Sequence, residues 1–260
     1  MSIFKREQDI QQNKRTLRVV SANSSFGYTE SYKALRTNLN YVLDTGAHER
    51  VLMVTSSVPA EGKSNVAVNL AVTLAQDNKK VILLDCDLRK GTLHRYLRIP
   101  RNQKGITDVI NGQAELEDTI VKFSDIGISV LTAGIVPPNP TELLGSSKMG
   151  YLLSHLSSIY DYVICDTPPV NAVTDTSVLS KYTDGAILVV SHDQVSRKNV
   201  LAAKKQLESM NVNIFGVVLN MYNVKKTGAD SRDYYAYYNC DYYSDDVPSK
   251  KESKADRRRK

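Results

Sequence analysis

The chain has 260 residues, 42% of them hydrophobic and 24% charged, the balance of an ordinary globular protein with enough apolar mass for one sizeable core. No apolar run approaches the ~20 residues that a membrane-spanning helix needs, and the opening Met1 to Arg6 lacks the apolar centre of a secretory signal, so a cytoplasmic location is expected. The net charge is +6, but Arg257 to Lys260 contributes four of those charges at the very end, and no nucleic-acid partner is expected from the remainder.

Residues 1–23 are read as an N-terminal extension, because Ile3, Phe4 and the apolar stretch from Leu17 to Val20 show no periodicity that defines an element. From Glu30 the pattern changes: Tyr32, Leu35, Leu39, Val42 and Leu43 recur at helical spacing and predict an amphipathic helix to about Leu43. Its other face carries Glu30, Lys33 and Arg36, three residues apart, the spacing of local ion pairs on a solvated helix.

Residues Val51 to Ser64 read as a short apolar strand, then a loop, then Gly62-Lys63-Ser64 opening a helix that Val66, Leu70, Val72 and Leu74 continue to about Asp77. That order is a phosphate loop. Its backbone N–H groups and the helix N-terminus favour polyphosphate, Lys63 reaches the β- and γ-phosphates, and the Ser64 hydroxyl holds Mg2+. The first glycine of the usual G-x-x-x-x-G-K-[ST] pattern is Ser57 here.

Further unalternating apolar runs at 81–84, 128–131, 162–165, 186–190 and 214–219 suit strands buried on both faces, with helical stretches at about 147–159, 174–181 and 196–210 between them. The expected fold class is therefore α/β, a mainly parallel sheet covered by helices on both faces, with one domain over 24–223. In such a sheet the site lies at the carboxyl ends of the strands. Strand 81–84 runs into Asp85-Cys86-Asp87-Leu88-Arg89 and strand 162–165 into Asp166-Thr167-Pro168-Pro169, so three carboxylates are expected in the crevice of Lys63, where they can hold Mg2+. Cys86, Cys165 and Cys240 are an odd number without metal-ligand spacing, and the first two read as small buried hydrophobes.

Residues 224–260 form the last segment, expected to be a mobile tail. Its tyrosines, Tyr234, Tyr235, Tyr237, Tyr238, Tyr242 and Tyr243, are interleaved with Asp230, Asp233, Asp241, Asp245 and Asp246 and have almost no aliphatic companions to bury them.

Over about residues 24–243 the sequence resembles the bacterial protein-tyrosine kinases of capsule and exopolysaccharide synthesis, in the form whose kinase and membrane adaptor are separate chains. The glycine-poor loop from Ser57 to Ser64 resembles that family's Walker A motif, a deviant form within the P-loop NTPase-like fold. Val81 to Arg89 is similar to its Walker A′, Val163 to Pro169 to its Walker B, Gly134 to Leu144 to a family loop, and the tyrosine-rich end to its autophosphorylated cluster. The resemblance implies ATP and Mg2+ as cofactors. It assigns Glu61, Gly62, Lys63, Ser64, Asn65 and Asn220 to nucleotide, Ser64, Asp87 and, through water, Asp166 to Mg2+, and Asp85 to accepting the tyrosine proton. Lys63 joins Asp85 as a catalytic residue.

It further implies that Tyr234, Tyr235, Tyr237, Tyr238, Tyr242 and Tyr243 are phosphorylated by a neighbouring copy. Glu30, Lys33 and Arg36 would pack unphosphorylated copies into a ring, although the family usually has Arg where this chain has Lys33, which lacks the bidentate fork. Implied partners are a transmembrane polysaccharide co-polymerase-type adaptor, which would hold the chain at the inner face of the membrane, and a cognate tyrosine phosphatase. Two other readings stay open: a partitioning-type ATPase, whose extra lysine five positions before Lys63 is replaced here by Val58, and a non-catalytic nucleotide-dependent scaffold of polysaccharide export.

Overall fold

A computed structural model describes residues 19–43 and 50–222, and the compact unit to which they belong ends at Tyr222. Seven strands, β1 (Val51–Ser56), β2 (Val81–Asp85), β3 (Val121–Phe123), β4 (Ile128–Leu131), β5 (Tyr162–Asp166), β6 (Gly185–Ser191) and β7 (Ile214–Asn220), form one sheet in the order β3-β4-β2-β5-β1-β6-β7. All pairings are parallel except that of β3 with β4. The longer helices are α1 (Phe26–Leu43), α2 (Lys63–Ala75), α7 (Ser147–Ser157) and α9 (Arg197–Ser209). Shorter ones are α3 (Leu93–Tyr96), α4 (Ile106–Ile110), α5 (Leu116–Thr119), α6 (Pro140–Gly145) and α8 (Asp175–Leu179).

The central strands are buried along their whole length because each face is covered. Leu52, Val54, Leu83 and Ile164 pack with Leu39 of α1 and Val66 and Leu70 of α2, whereas Met53, Ile82, Leu84 and Val163 pack with Leu152 and Leu156 of α7 and Leu207 of α9. Alternate residues of one strand therefore serve two cores, which is why these strands read as continuous apolar runs.

Several expectations shift. Helix α1 starts four residues before Glu30, at Phe26, and its Val42 is exposed although it lies on the apolar-periodic set. The run at 214–219 is an edge strand, and Val217 and Leu219, two residues apart on one face of it, are exposed. Strand β3 and the short helices α3, α4, α5 and α6 were not expected, being too short to carry a period, whereas α8 falls inside the helical stretch expected at about 174–181. Before α1, Val20 is 2% exposed and donates its backbone N–H to Asn69 Oδ1 of α2 at 2.6 Å, so the end of the 1–23 segment joins the packed structure.

Because Leu83 is fully buried between β2's neighbours and the α1–α2 layer, Leu83→Ala should cost about 2–5 kcal/mol of unfolding free energy, read by urea denaturation.

Candidate active site

Strands β2, β5 and β1 are neighbours in the sheet, and their carboxyl ends open into one cavity of about 1250 Å³. Between β1 and α2 the loop from Ser57 to Gly62 folds across those ends. Ala60 and Gly62 have φ of +70° and +84°, left-handed backbone that curls N–H groups into a concavity. A Cβ on Gly62 would lie 2.2 Å from Asn220 Nδ2, so closeness as well as φ requires glycine there.

Glu61, expected at the nucleotide, is 2% exposed and its carboxylate is consumed inside the loop. Its Oε2 accepts from Ser57 Oγ and Val58 N, both at 2.8 Å, and its Oε1 accepts from Ser191 N of β6 at 3.0 Å. The side chain thus shapes the loop and leaves the cavity lining to Gly62, Lys63, Ser64 and Asn65. Asn220, at the end of β7, also lines the cavity and donates Nδ2 to the Glu61 carbonyl at 2.9 Å. Asn65 Oδ1 accepts from the phenols of Tyr28 at 3.3 Å and Tyr32 at 3.1 Å, which ties the start of α2 to α1.

The centre of the site is electrostatic. Lys63 Nζ lies 3.3 Å from Asp166 Oδ1, 3.5 Å from Asp87 Oδ2 and 3.4 Å from Ser64 Oγ. Asp85 and Asp166 are register partners on adjacent strands, 1% and 0% exposed. Burial, with the Asp166 charge beside it, pushes the Asp85 carboxyl up to about 7, against the opposing pull of the Leu93 N–H and Lys63. Burial likewise raises Asp166, partly offset by Lys63. For Lys63, burial pulls downward, but attraction from Asp166, Asp87 and Asp85 outweighs it and the net shift is upward.

One ammonium thus faces three carboxylates, and Asp85 Oδ1 and Asp166 Oδ2 are buried without a hydrogen-bond partner among the described residues. Asp85 Oδ1 stays open to a proton, and the orphaned Asp166 Oδ2, with Asp87 and the Ser64 hydroxyl, supplies hard donors that fit Mg2+ or its waters. That ion is bound through one or two carboxylates together with waters and substrate phosphates rather than by an all-protein cage. No group of three or more His, Cys, Asp or Glu among the described residues is placed to hold a metal ion by itself.

Three contributors were not legible beforehand. Arg89 turns its guanidinium to the buried Asp175, with Nε to Oδ2 at 2.7 Å and Nη2 to Oδ1 at 3.0 Å, which fixes the loop after β2. Asp175 carries no local motif that marks it, and Thr92, whose Oγ1 donates to Ser64 Oγ at 3.3 Å, has none either. Leu93 N donates to Asp85 Oδ2 at 3.0 Å, and this backbone contact has no sequence signature.

On α1, Glu30 and Lys33 form an exposed pair at 2.8 Å, whereas Arg36 donates Nη1 to Thr73 O of α2 at 2.8 Å within the same molecule. Cys86 and Cys165 are both buried, as expected, and no described helix is long and apolar enough to cross a membrane. The tyrosines from 234 to 243, Cys240 and the basic end lie outside the described residues.

A family model described as ParA, NUBPL iron-transfer P-loop NTPase, matches residues 47–239. The chain is 37% identical over 210 residues to tyrosine-protein kinase YwqD of Bacillus subtilis, covering 81% of this chain and 86% of that one. It is 34% identical to tyrosine-protein kinase wzc of Salmonella typhimurium over 83% of this chain but only 29% of that protein's length. Among solved structures, the kinase domain of Escherichia coli tyrosine kinase ETK aligns with a TM-score of 0.71 at 34% identity, covering 81% of this chain and 85% of that domain.

The buried acids make a stability prediction for the ligand-free protein. Asp85 holds its proton up to about pH 7 when folded, against a carboxyl value of about 3.9 in an unfolded chain. The folded state then binds more protons between those limits, so stability is fully present below about pH 4 and falls as pH rises toward 7. Thermal melts should therefore show Tm falling from pH 5 to pH 8 in the absence of ligand and Mg2+, and Asp85→Asn should flatten that fall.

Proposed function

The chain belongs to the bacterial tyrosine-protein kinases within the P-loop NTPases, and from that premise we propose that it transfers the γ-phosphoryl group of ATP to Tyr234, Tyr235, Tyr237, Tyr238, Tyr242 and Tyr243 of a neighbouring copy. The observation that carries this reading is the ammonium of Lys63 held between Asp87 and Asp166, beside a buried Asp85 whose Oδ1 is unpartnered.

In the proposed reaction the phenol oxygen bonds to the γ-phosphorus, the bond to the bridging oxygen of the β-phosphate breaks, ADP leaves, and the phenol proton passes to Asp85. A phenol has a pKa of about 10, so its proton must be handed on as the bond forms, and a buried carboxylate close to Lys63 suits that role. Lys63 neutralises phosphate charge, and the loop N–H groups with Asn65 and Asn220 orient the nucleotide. Mg2+, held by Ser64, Asp87 and, through water, Asp166, would supply further neutralisation of the phosphates.

By the same reading the kinase regulates capsule or exopolysaccharide synthesis. It acts in the cytoplasm at the inner face of the membrane through a transmembrane adaptor that activates it, and a tyrosine phosphatase opposes it. Unphosphorylated copies assemble through the α1 face, where Glu30 and Lys33 are the exposed pair and Arg36 braces α1 from within.

Incubation with Mg-ATP followed by mass spectrometry of residues 222–243 tests the reaction. Phosphotyrosine should appear, and Lys63→Met or Asp85→Ala should lower its rate by roughly 100-fold, the scale of losing one transition-state electrostatic group. No phosphotyrosine, even with an adaptor peptide present, would leave a nucleotide-dependent scaffold as the better account.

A further inference from the structure

The cavity is larger than the nucleotide reading requires. Its volume of about 1250 Å³ exceeds the ~300–1,000 Å³ of most small-molecule sites, and it extends from Lys63 and Ser64 along the segment from Lys90 to Arg101. On that wall stand Lys90, Arg95, Arg98 and Arg101, all exposed. Arg89, beside them, is committed to Asp175, but none of these four makes an ion pair among the described residues. His94 sits in the same wall, and its pKa is lowered by burial and then by Arg95 and Arg101, a sign that the cations crowd together. Asp87 is the sole acidic residue of the described lining.

The wall is also held in place relative to the chemistry. Leu93, Leu97 and Ile99 are buried in the α1–α2 core, so the polar residues between them are turned outward. The Leu93 N–H bonds Asp85 Oδ2 at 3.0 Å, which anchors the start of this basic turn on the carboxylate assigned to the tyrosine proton.

We propose that Lys90, Arg95, Arg98 and Arg101 form the acceptor subsite, which binds the acid-flanked tyrosines of residues 230–246 from a second copy of this chain. This rests on the tyrosine-kinase reading and adds what the site selects. The complementarity is direct: that stretch carries Asp230, Asp233, Asp241, Asp245 and Asp246 against the single cation Arg232, and the tyrosines lie between the acids. Arginine pairs with carboxylates in a two-pronged, planar geometry, so aspartates on either side of a tyrosine can set its register over the γ-phosphate. Charge pairing at an open wall gives selectivity and capture rate more than tight binding, which suits an acceptor that must leave once phosphorylated.

The test uses full-length chains in trans. The donor enzyme carries Tyr→Phe at 234, 235, 237, 238, 242 and 243, and the acceptor is the Lys63→Met chain, so label appears only on the acceptor. In the donor, Arg95→Glu, Arg98→Glu and Arg101→Glu together should raise KM for the acceptor about tenfold or more, the scale of several exposed charge pairs acting at once. KM for Mg-ATP should stay within about twofold, which also reports that the variant is folded. An acceptor with Asp230, Asp233, Asp241, Asp245 and Asp246 changed to Lys should be poor with the unsubstituted wall and regain activity with the Glu-substituted one. Unchanged acceptor KM, a rise confined to KM for Mg-ATP, or equal use of both acceptors by the unsubstituted wall would overturn the subsite. Absence of any phosphotyrosine with unsubstituted wall and acceptor would instead overturn the kinase reading, and the subsite with it.

Discussion

Everything at this site depends on one imbalance: a single buried ammonium, Lys63, set against Asp85, Asp87 and Asp166 at the ends of two adjacent strands. Removing a charge from water costs several kcal/mol even after relaxation, and two of the carboxylates are almost wholly buried. The described residues answer that cost only in part, with one cation, the Leu93 N–H and the Ser64 hydroxyl, and they leave two carboxylate oxygens unpartnered. A fold does not keep such a cluster for stability. It is the arrangement expected where a further cation and a polyphosphate complete the charge balance.

The sheet makes the imbalance possible. Placing β5 between β1 and β2 brings the phosphate loop, the Asp85 pair of acids and Asp166 to one edge. Covering both faces with α1, α2, α7 and α9 leaves those side chains nowhere to relax. The loop is then fixed from three directions. Glu61 bonds back to Val58 and across to β6, Asn220 pins the loop from β7, and Asn65 joins the start of α2 to the tyrosines of α1. The exposed Glu30–Lys33 pair stands on the same α1, so that helix and the loop belong to one continuous hydrogen-bonded structure.

What could be read from the sequence follows from length and burial. Strands buried on both faces are apolar at every position, and an acid directly after such a run must emerge at the carboxyl edge, so the crevice of Lys63, Asp85, Asp87 and Asp166 was legible. Glu61 was not, because an acidic loop residue beside Gly-Lys-Ser has the same local pattern whether it faces a ligand or three backbone and hydroxyl donors. Arg36 looked like part of an exposed stripe, yet its length lets it reach Thr73 across the α1–α2 contact. The basic wall from Lys90 to Arg101 has no period at all: buried Leu93, Leu97 and Ile99 separate its cations irregularly, and only the folded cavity brings them to one side.

The central claim is that the acid cluster is completed by a divalent cation together with nucleotide, and calorimetric titration of ATP into the ligand-free chain, with Mg2+ and with chelator, tests it most directly. The account predicts that Mg2+ strengthens ATP binding by about tenfold or more and that Asp87→Asn removes most of this gain. Equal affinity with and without Mg2+, or a gain that Asp87→Asn leaves untouched, would contradict it.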